Sequence, residues 1–232
     1  MSKNTTYAVV LAAGIGSRMG GDITKQKMLI CGKPMIYHTV STFFECDCID
    51  GIVVVGRAEE LDFLNETLAD FASKIHAIVV GGATRFESAR AGFYALPEGV
   101  ELVAVHDGAR PLITADAITR VVKRAAECGA ATEAVCIYDT VKSVDQNGRI
   151  TATVDRNSLI SARTPQVFRT DIYAKAVENA GNGENITDDN MMVEAIGVPV
   201  FAVVTNTDNP KITTKSDLKY AEFLMKERCG NV

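Results

Sequence analysis

Tyr7-Ala-Val-Val-Leu-Ala-Ala-Gly-Ile-Gly-Ser-Arg-Met-Gly-Gly21 is the stretch on which the fold turns. Its first half is a continuous apolar run, Tyr7–Ala13, which is how a strand buried on both faces reads. Its second half places glycine at 14, 16, 20 and 21. Glycines at the mouth of a strand let backbone N–H groups approach an anion closely. The run follows a single lysine and empties into a basic loop, so a strand feeding a loop explains it better than a signal-peptide core.

Two familiar phosphate loops fail on spacing. The dinucleotide pattern GxGxxG needs glycine at position 19, which is Met19. The P-loop pattern pairs Gly16 with Gly21, but Asp22 stands where its lysine belongs. What remains is a loop suited to a polyphosphate, with Arg18, Lys25, Lys27 and Lys33 as its expected source of positive charge.

Outward from this strand, apolar runs alternate with amphipathic stretches of helical length. The further strand candidates are 51–56, 75–80, 102–106, 131–137 and 198–204. The helix candidates are 34–46, 58–71, 85–96, 114–128, 170–179, 188–196 and 214–226. Pro34 suits a first helical turn, Thr114 a cap, and Thr214 with Asp217 a capping box. Such alternation predicts an α/β domain: an open, mostly parallel Rossmann-like sheet with helices on both faces. One segment, 138–156, breaks the rhythm. Asn147-Gly148 between β-branched residues marks a hairpin, an inserted β-arm with little apolar material of its own. An isolated hairpin is marginal in water, so the arm is expected to pack on something, such as a second subunit.

In an open parallel sheet the ligand crevice lies at the carboxyl ends of the strands. Three loops reach that edge: the glycine-rich loop, Gly81-Gly82-Ala-Thr-Arg-Phe-Glu-Ser88 and Val105-His-Asp-Gly-Ala-Arg-Pro111. Asp107 suits Mg²⁺, which takes one or two protein carboxylates plus phosphate oxygens and water. Ser88 is placed to bond a base or ribose, His106 reads as a packing residue, and Arg110 is within reach of Asp107 in sequence. No Ser–His–Asp or Cys–His constellation stands out.

Composition bounds the possibilities. The 232 residues are 47% hydrophobic and 23% charged, with 24 basic against 29 acidic side chains, a net of −5. That excludes a disordered chain and argues against a nucleic-acid polymer as partner. The charge is uneven. Residues 14–33 carry four basic and one acidic side chain, whereas 57–70 hold one arginine against five acids. Six scattered cysteines without a CxxC read as free thiols, as expected in a reducing cytoplasm, and no apolar stretch is long enough to span a membrane.

The chain resembles the 2-C-methyl-D-erythritol 4-phosphate cytidylyltransferase family nearly end to end. The resemblance rests on Leu11-Ala-Ala-Gly-Ile-Gly-Ser-Arg-Met19 with Lys25-Gln26, Val105–Pro111 and Asp139-Thr-Val-Lys142. It continues through Thr153-Val-Asp-Arg-Asn157, Arg163-Thr-Pro-Gln-Val-Phe168, Ile186-Thr-Asp-Asp189 and Lys211-Ile-Thr213. It implies a single nucleotidyltransferase domain over 1–232. It also implies joining of CTP to methylerythritol phosphate with release of pyrophosphate, in the non-mevalonate isoprenoid pathway. Mg²⁺ and a homodimer, with each arm reaching the partner's site, come with it. By resemblance Arg18, Lys25 and Lys211 are catalytic and Asp107 holds the metal. Ala13, Gly14, Gly16, Gly82 and Ser88 surround the nucleotide. Thr140, Arg156, Thr164, Thr187 and Lys211 bind the acceptor, with Arg156 arriving from the other subunit. Leu11, Thr24, Lys27, Ala83 and Pro210 depart from common family choices without removing a charged position.

Ribitol-5-phosphate cytidylyltransferases are the nearest alternative. Val154-Asp-Arg-Asn157 followed by Ala162-Arg-Thr-Pro-Gln166 favours the methylerythritol enzyme. Uridylyl- and guanylyltransferases share only the opening loop. A silent nucleotide-binding regulatory module is expected to lose Arg18, Lys25 or Asp107, and all three are present.

Overall fold

The computed structural model describes residues 4–14, 24–205 and 207–228. Gly16 and Arg18 lie outside the described residues. Eleven strands and seven α-helices are described, β2 (Leu29–Ile30) and β3 (Lys33–Pro34) forming a short antiparallel pair of their own. A seven-stranded sheet is built from β1 (Thr6–Leu11), β4 (Gly51–Gly56), β5 (Ile75–Val80), β6 (Leu102–Asp107), β7 (Ala130–Cys136), β10 (Ile160–Arg169) and β11 (Phe201–Val204). Its order is β11-β7-β10-β6-β1-β4-β5. β1 pairs in parallel with β4 and β6, β4 with β5, and β7 with β11; β10 runs antiparallel to both of its neighbours.

Successive residues of the central strands point to opposite faces and are apolar on both. Ala8, Val10, Ile52, Val54 and Ala104 pack into one core with α1 (Met35–Glu45) and α4 (Ala115–Cys128). Val9, Val53, Val55, Val103 and Val105 pack into the other with α3 (Arg85–Tyr94), α5 (Thr170–Asn179) and α6 (Asp189–Ala195). This is the doubly covered sheet that continuous apolar strands require. Thr114 caps α4 on Ala117 N at 3.3 Å, and Thr214 caps α7 (Lys215–Arg228) on Asp217 N at 3.2 Å, as their sequences indicate. No helix among the described residues is long and apolar enough to cross a membrane.

Three expectations need correction. The sequence reading has no strand at 160–169. That segment carries arginines, a threonine and Pro165, yet it fills the gap between β6 and β7. Its pairing with β7 shifts register between Ala162 and Gln166, and the irregularity accommodates the proline. The helix expected over 58–71 is shorter: 3₁₀ turns at Ala58–Glu60 and Ala69–Phe71 flank α2 (Leu61–Thr67). The break leaves the Glu60 carboxylate, only 2% exposed, to accept from the Thr24 hydroxyl. The last strand is shorter than expected, Phe201–Val204, because 198–200 do not pair with β7.

The arm forms as an antiparallel pair, β8 (Val141–Val144) with β9 (Ile150–Val154). Its turn is wider than two residues. Gly148 N donates to Asp145 O at 3.0 Å, and the left-handed conformation needed at Gly148 (φ +80°) suits glycine. Val144 and Ile150 stay about 60% exposed at the tip.

Candidate active site

A cleft of about 310 Å³ opens at the carboxyl ends of β1 and β6 and the start of α3. Ala13, Gly14, Lys25, Gly82, Ser88, Asp107 and Lys211 all line it, so the described nucleotide, catalytic and metal residues expected from sequence do meet. A Cβ on Gly81 would stand 2.8 Å from the Ala13 Cβ and 2.7 Å from the Ser88 Oγ, which is why the β5–α3 turn and β1 approach so closely. A Cβ on Gly14, which lines the cleft, would meet no atom of the described residues within 4 Å. Thr84 and Glu87 cap α3 reciprocally. Ser88 Oγ receives Gly82 N–H at 3.2 Å and donates to Thr84 O at 2.9 Å, so its hydroxyl holds the loop it was expected to share with a ligand.

A second cavity of about 150 Å³ adjoins the first. Thr164, Thr187 and Lys211 line it, with Arg110, Arg163 and Asp188. Arg85, Asp107 and Lys211 belong to both cavities and form the wall between them. Four cations against two carboxylates line this smaller cavity, a setting for an anion. Thr140 and Arg156 are not brought to either cavity of their own chain. Both are exposed at the base of the arm, where Arg156 donates to the Tyr138 carbonyl.

Asp107 is the electrostatic centre. Its Oδ1 receives Arg85 Nε at 3.2 Å, and its Oδ2 lies 2.7 Å from Lys211 Nζ and 3.9 Å from Arg110 Nε. Burial opposes its ionisation more than any other single influence. Arg85, Lys211 and Arg110 together outweigh it and hold the carboxyl well below the ordinary range. Next in the chain, His106 is fully buried. Thr164 Oγ1 accepts Asp107 N–H at 3.1 Å and turns its own proton to His106 Nδ1 at 3.0 Å. Nε2–H is then left for Arg110 O at 3.2 Å. Burial lowers the His106 pKa to about 4, so the ring is a neutral strut. This bears out its reading as a packing residue.

The cations differ from those expected. Lys27 sits 4.0 Å from Glu60 and over the Phe63 ring, and Lys33 lies over the Tyr37 ring. Neither lines the cleft. The acidic stretch 57–70 therefore meets the basic one directly through Glu60. The cleft draws instead on Arg85, which sequence reading passed over as part of a helix entry. Arg85 Nη1 also reaches Asp189 Oδ2 at 2.6 Å, and Asp189 Oδ1 accepts from the buried Tyr173 hydroxyl at 2.6 Å. The position of Arg85 immediately after Gly82-Ala-Thr84 was the available signal. Gln26 is a second omission: it lies on the cleft wall, 3% exposed, with its Oε1 unpartnered among the described residues.

A metal fits this donor set in one way only. Among the described residues no three His, Cys, Asp or Glu side chains cluster as ligands. Asp107 is a single hard carboxylate at the cleft, which suits Mg²⁺ carried in on phosphate oxygens and not a cage built by protein alone.

A mostly parallel sheet whose carboxyl edge carries a glycine-lined cleft, a central carboxylate and converging cations fits a nucleotidyltransferase. The family model for 2-C-methyl-D-erythritol 4-phosphate cytidylyltransferase matches residues 6–227, and the chain belongs to that family. It is 40% identical over 224 residues to the 2-C-methyl-D-erythritol 4-phosphate cytidylyltransferase of Desulforamulus reducens, covering 95% of this chain and 96% of that one. The 4-diphosphocytidyl-2C-methyl-D-erythritol synthase structure from Anaerococcus prevotii superposes with a TM-score of 0.86 at 27% identity, over 97% of both chains. The Francisella tularensis cytidylyltransferase structure gives 0.79 at 32% identity, over 95% of this chain and 99% of that one.

Proposed function

We propose that the chain transfers the cytidylyl group of CTP to 2-C-methyl-D-erythritol 4-phosphate, releasing pyrophosphate, as a step of non-mevalonate isoprenoid synthesis. The observation that carries this reading is the pair of adjoining cavities with Arg85, Asp107 and Lys211 as their common wall. The larger cavity takes the nucleotide against the backbone of Ala13, Gly14 and Gly82, with Ser88 bracing the loop. The smaller takes the acceptor phosphate among Thr164, Thr187 and Lys211.

The acceptor phosphate attacks the α-phosphorus in line, and the bond to pyrophosphate breaks. A phosphate monoester is already anionic, so the protein need supply no general base. Positioning and charge neutralisation carry the barrier. Lys25 and Arg18 stabilise charge developing on the triphosphate. Lys211, at the boundary, orients the incoming phosphate. Asp107 would hold Mg²⁺, whose chemistry is to neutralise the phosphate oxygens. The enzyme works in the cytoplasm as a homodimer, without a nucleic-acid or membrane partner.

Pyrophosphate release from CTP, followed in parallel with methylerythritol phosphate and ribitol 5-phosphate, tests the reaction. Turnover with the first alone is expected. Turnover with the second alone transfers the chain to the sister activity, and CTP binding without turnover supports a silent module.

The exposed arm supports the dimer. Tyr138, Val144 and Ile150 leave apolar surface uncovered there, and Thr140 and Arg156 line neither of the two adjoining cavities of their own chain. Arg156→Ala is expected to raise the acceptor KM about tenfold or more, the loss of one charge-assisted contact. Mixing it with a Lys25→Ala variant should restore activity, because one site of the heterodimer regains both residues. Absence of recovery on subunit exchange argues that each site is built from one chain.

A further inference from the structure

The stretch that presents Lys211 is fastened to the sheet by an acid that the reaction does not use. Glu133 lies on β7 with its side chain fully buried. Its Oε1 accepts from the Thr205 hydroxyl at 2.8 Å and its Oε2 from Asn209 Nδ2 at 3.3 Å. Asn209 is equally buried. Its amide also reaches Thr164 O at 3.3 Å, and its carbonyl receives Arg110 Nη1 at 2.9 Å. Two residues on stands Lys211. Beyond it, Ile212 N donates to Ala109 O at 2.8 Å, and Ile212 O receives Lys25 Nζ at 3.3 Å.

A carboxylate on an interior strand is unfavourable unless its oxygens are satisfied. Here burial pushes the carboxyl up, while the two hydrogen bonds and the charges of Arg163 and Arg110 act against it. Both bonds are donated to Glu133, and both come from the 205–209 stretch. The acid therefore faces the segment that must deliver Lys211, and it ties that segment at two points.

We propose that Glu133 is a positioning residue for the acceptor side of the site: through Asn209 it fixes the 207–212 segment so that Lys211 Nζ lies between the two cavities. The inference rests on the role given to Lys211 in the proposed reaction. Two functions of the acid are separable. As a tether it needs only hydrogen bonds. As a counter-charge to Arg110 and Arg163 it needs its ionised form. Glu133→Gln keeps the first and removes the second, since the amide oxygen accepts from Asn209 while the amide nitrogen donates to the Thr205 hydroxyl.

The test combines kinetics with hydrogen exchange across 207–213. Glu133→Ala is expected to raise the acceptor KM about tenfold, to leave the CTP KM within about twofold, and to speed exchange of the segment. Glu133→Gln should stay near wild type in all three. Asn209→Ala should reproduce the Glu133→Ala pattern, and the double variant should add little to either single change. Asn209→Ala alone carries the test if Glu133→Ala does not fold. The proposal is overturned if the tether variants leave exchange and acceptor KM unchanged, or if Glu133→Gln is as impaired as Glu133→Ala. Should the wild type show no turnover with these substrates, the reaction assigned above fails, and the exchange result still decides the tether.

Discussion

Lys25→Ala is expected to lower kcat by about 10²–10³-fold, the loss seen when one preorganised donor is removed from developing transition-state charge. Lys25 opens a short 3₁₀ turn, Lys25–Lys27, at the rim of the cleft, and its Nζ lies 3.3 Å from Ile212 O. It therefore stands beside Lys211 across the shared wall, where charge builds as pyrophosphate leaves. The side chain is half-buried and belongs to neither core, so folding should change little. An interaction made mainly in the transition state lowers kcat and kcat/KM together, whereas one made equally to bound CTP raises KM alone. Steady-state kinetics beside a melting curve distinguish them. A kcat within threefold of wild type, at unchanged Tm, would remove Lys25 from the catalytic set. Arg18→Ala is expected to follow the same pattern.

The parts legible in sequence were those whose signal is local. The central strands are continuous apolar runs because each buries two faces, and Ala8 with Val9, or Ile52 with Val53, shows the division between the cores directly. The arm was legible from Asn147-Gly148, and the helix caps from Thr114 and Thr214. What escaped depends on long-range neighbours. β10 carries Arg163, Thr164 and Pro165 because part of that strand is cavity wall, so the residues that make it functional hide its periodicity. Arg85 reads as one more helix-entry residue until the fold brings Asp107 and Asp189 to it, 22 and 104 positions away. Conversely Lys27 and Lys33 look like phosphate ligands by proximity in sequence, but Lys27 is taken up by Glu60 and the Phe63 ring, and Lys33 by the Tyr37 ring. Net charge over 14–33 pointed to the edge where the cleft opens, but of its described cations Lys25 alone lines that cleft.

Arg85 carries the second large effect. Its guanidinium joins Asp107, at the centre of the cleft, to Asp189, which is 1% exposed at the start of α6. The two carboxylates raise its pKa even against burial, so it is a permanent cation. Arg85→Met keeps much of the side-chain volume but leaves Asp189 with the Tyr173 hydroxyl as its remaining side-chain partner among those described here. Breaking a buried pair from one side costs about 3–5 kcal/mol. Because the Arg85 side chain is 24% exposed, the lower end applies. At roughly 2–4 °C per kcal/mol for a chain of this size, the melting midpoint should fall by roughly 6–12 °C. Adding Asp189→Asn removes the stranded charge and still accepts from Tyr173, so most of that loss should return. Activity should not return with it. In the double variant Asp107 still lacks one of the cations that keep it ionised, and both cavities still lack their common guanidinium. Turnover is expected to remain at least about tenfold down while stability recovers. Recovery of both together would make Arg85 a structural strut alone. A single variant that melts within a degree or two of wild type would mean that the Asp189 pair contributes nothing to the fold.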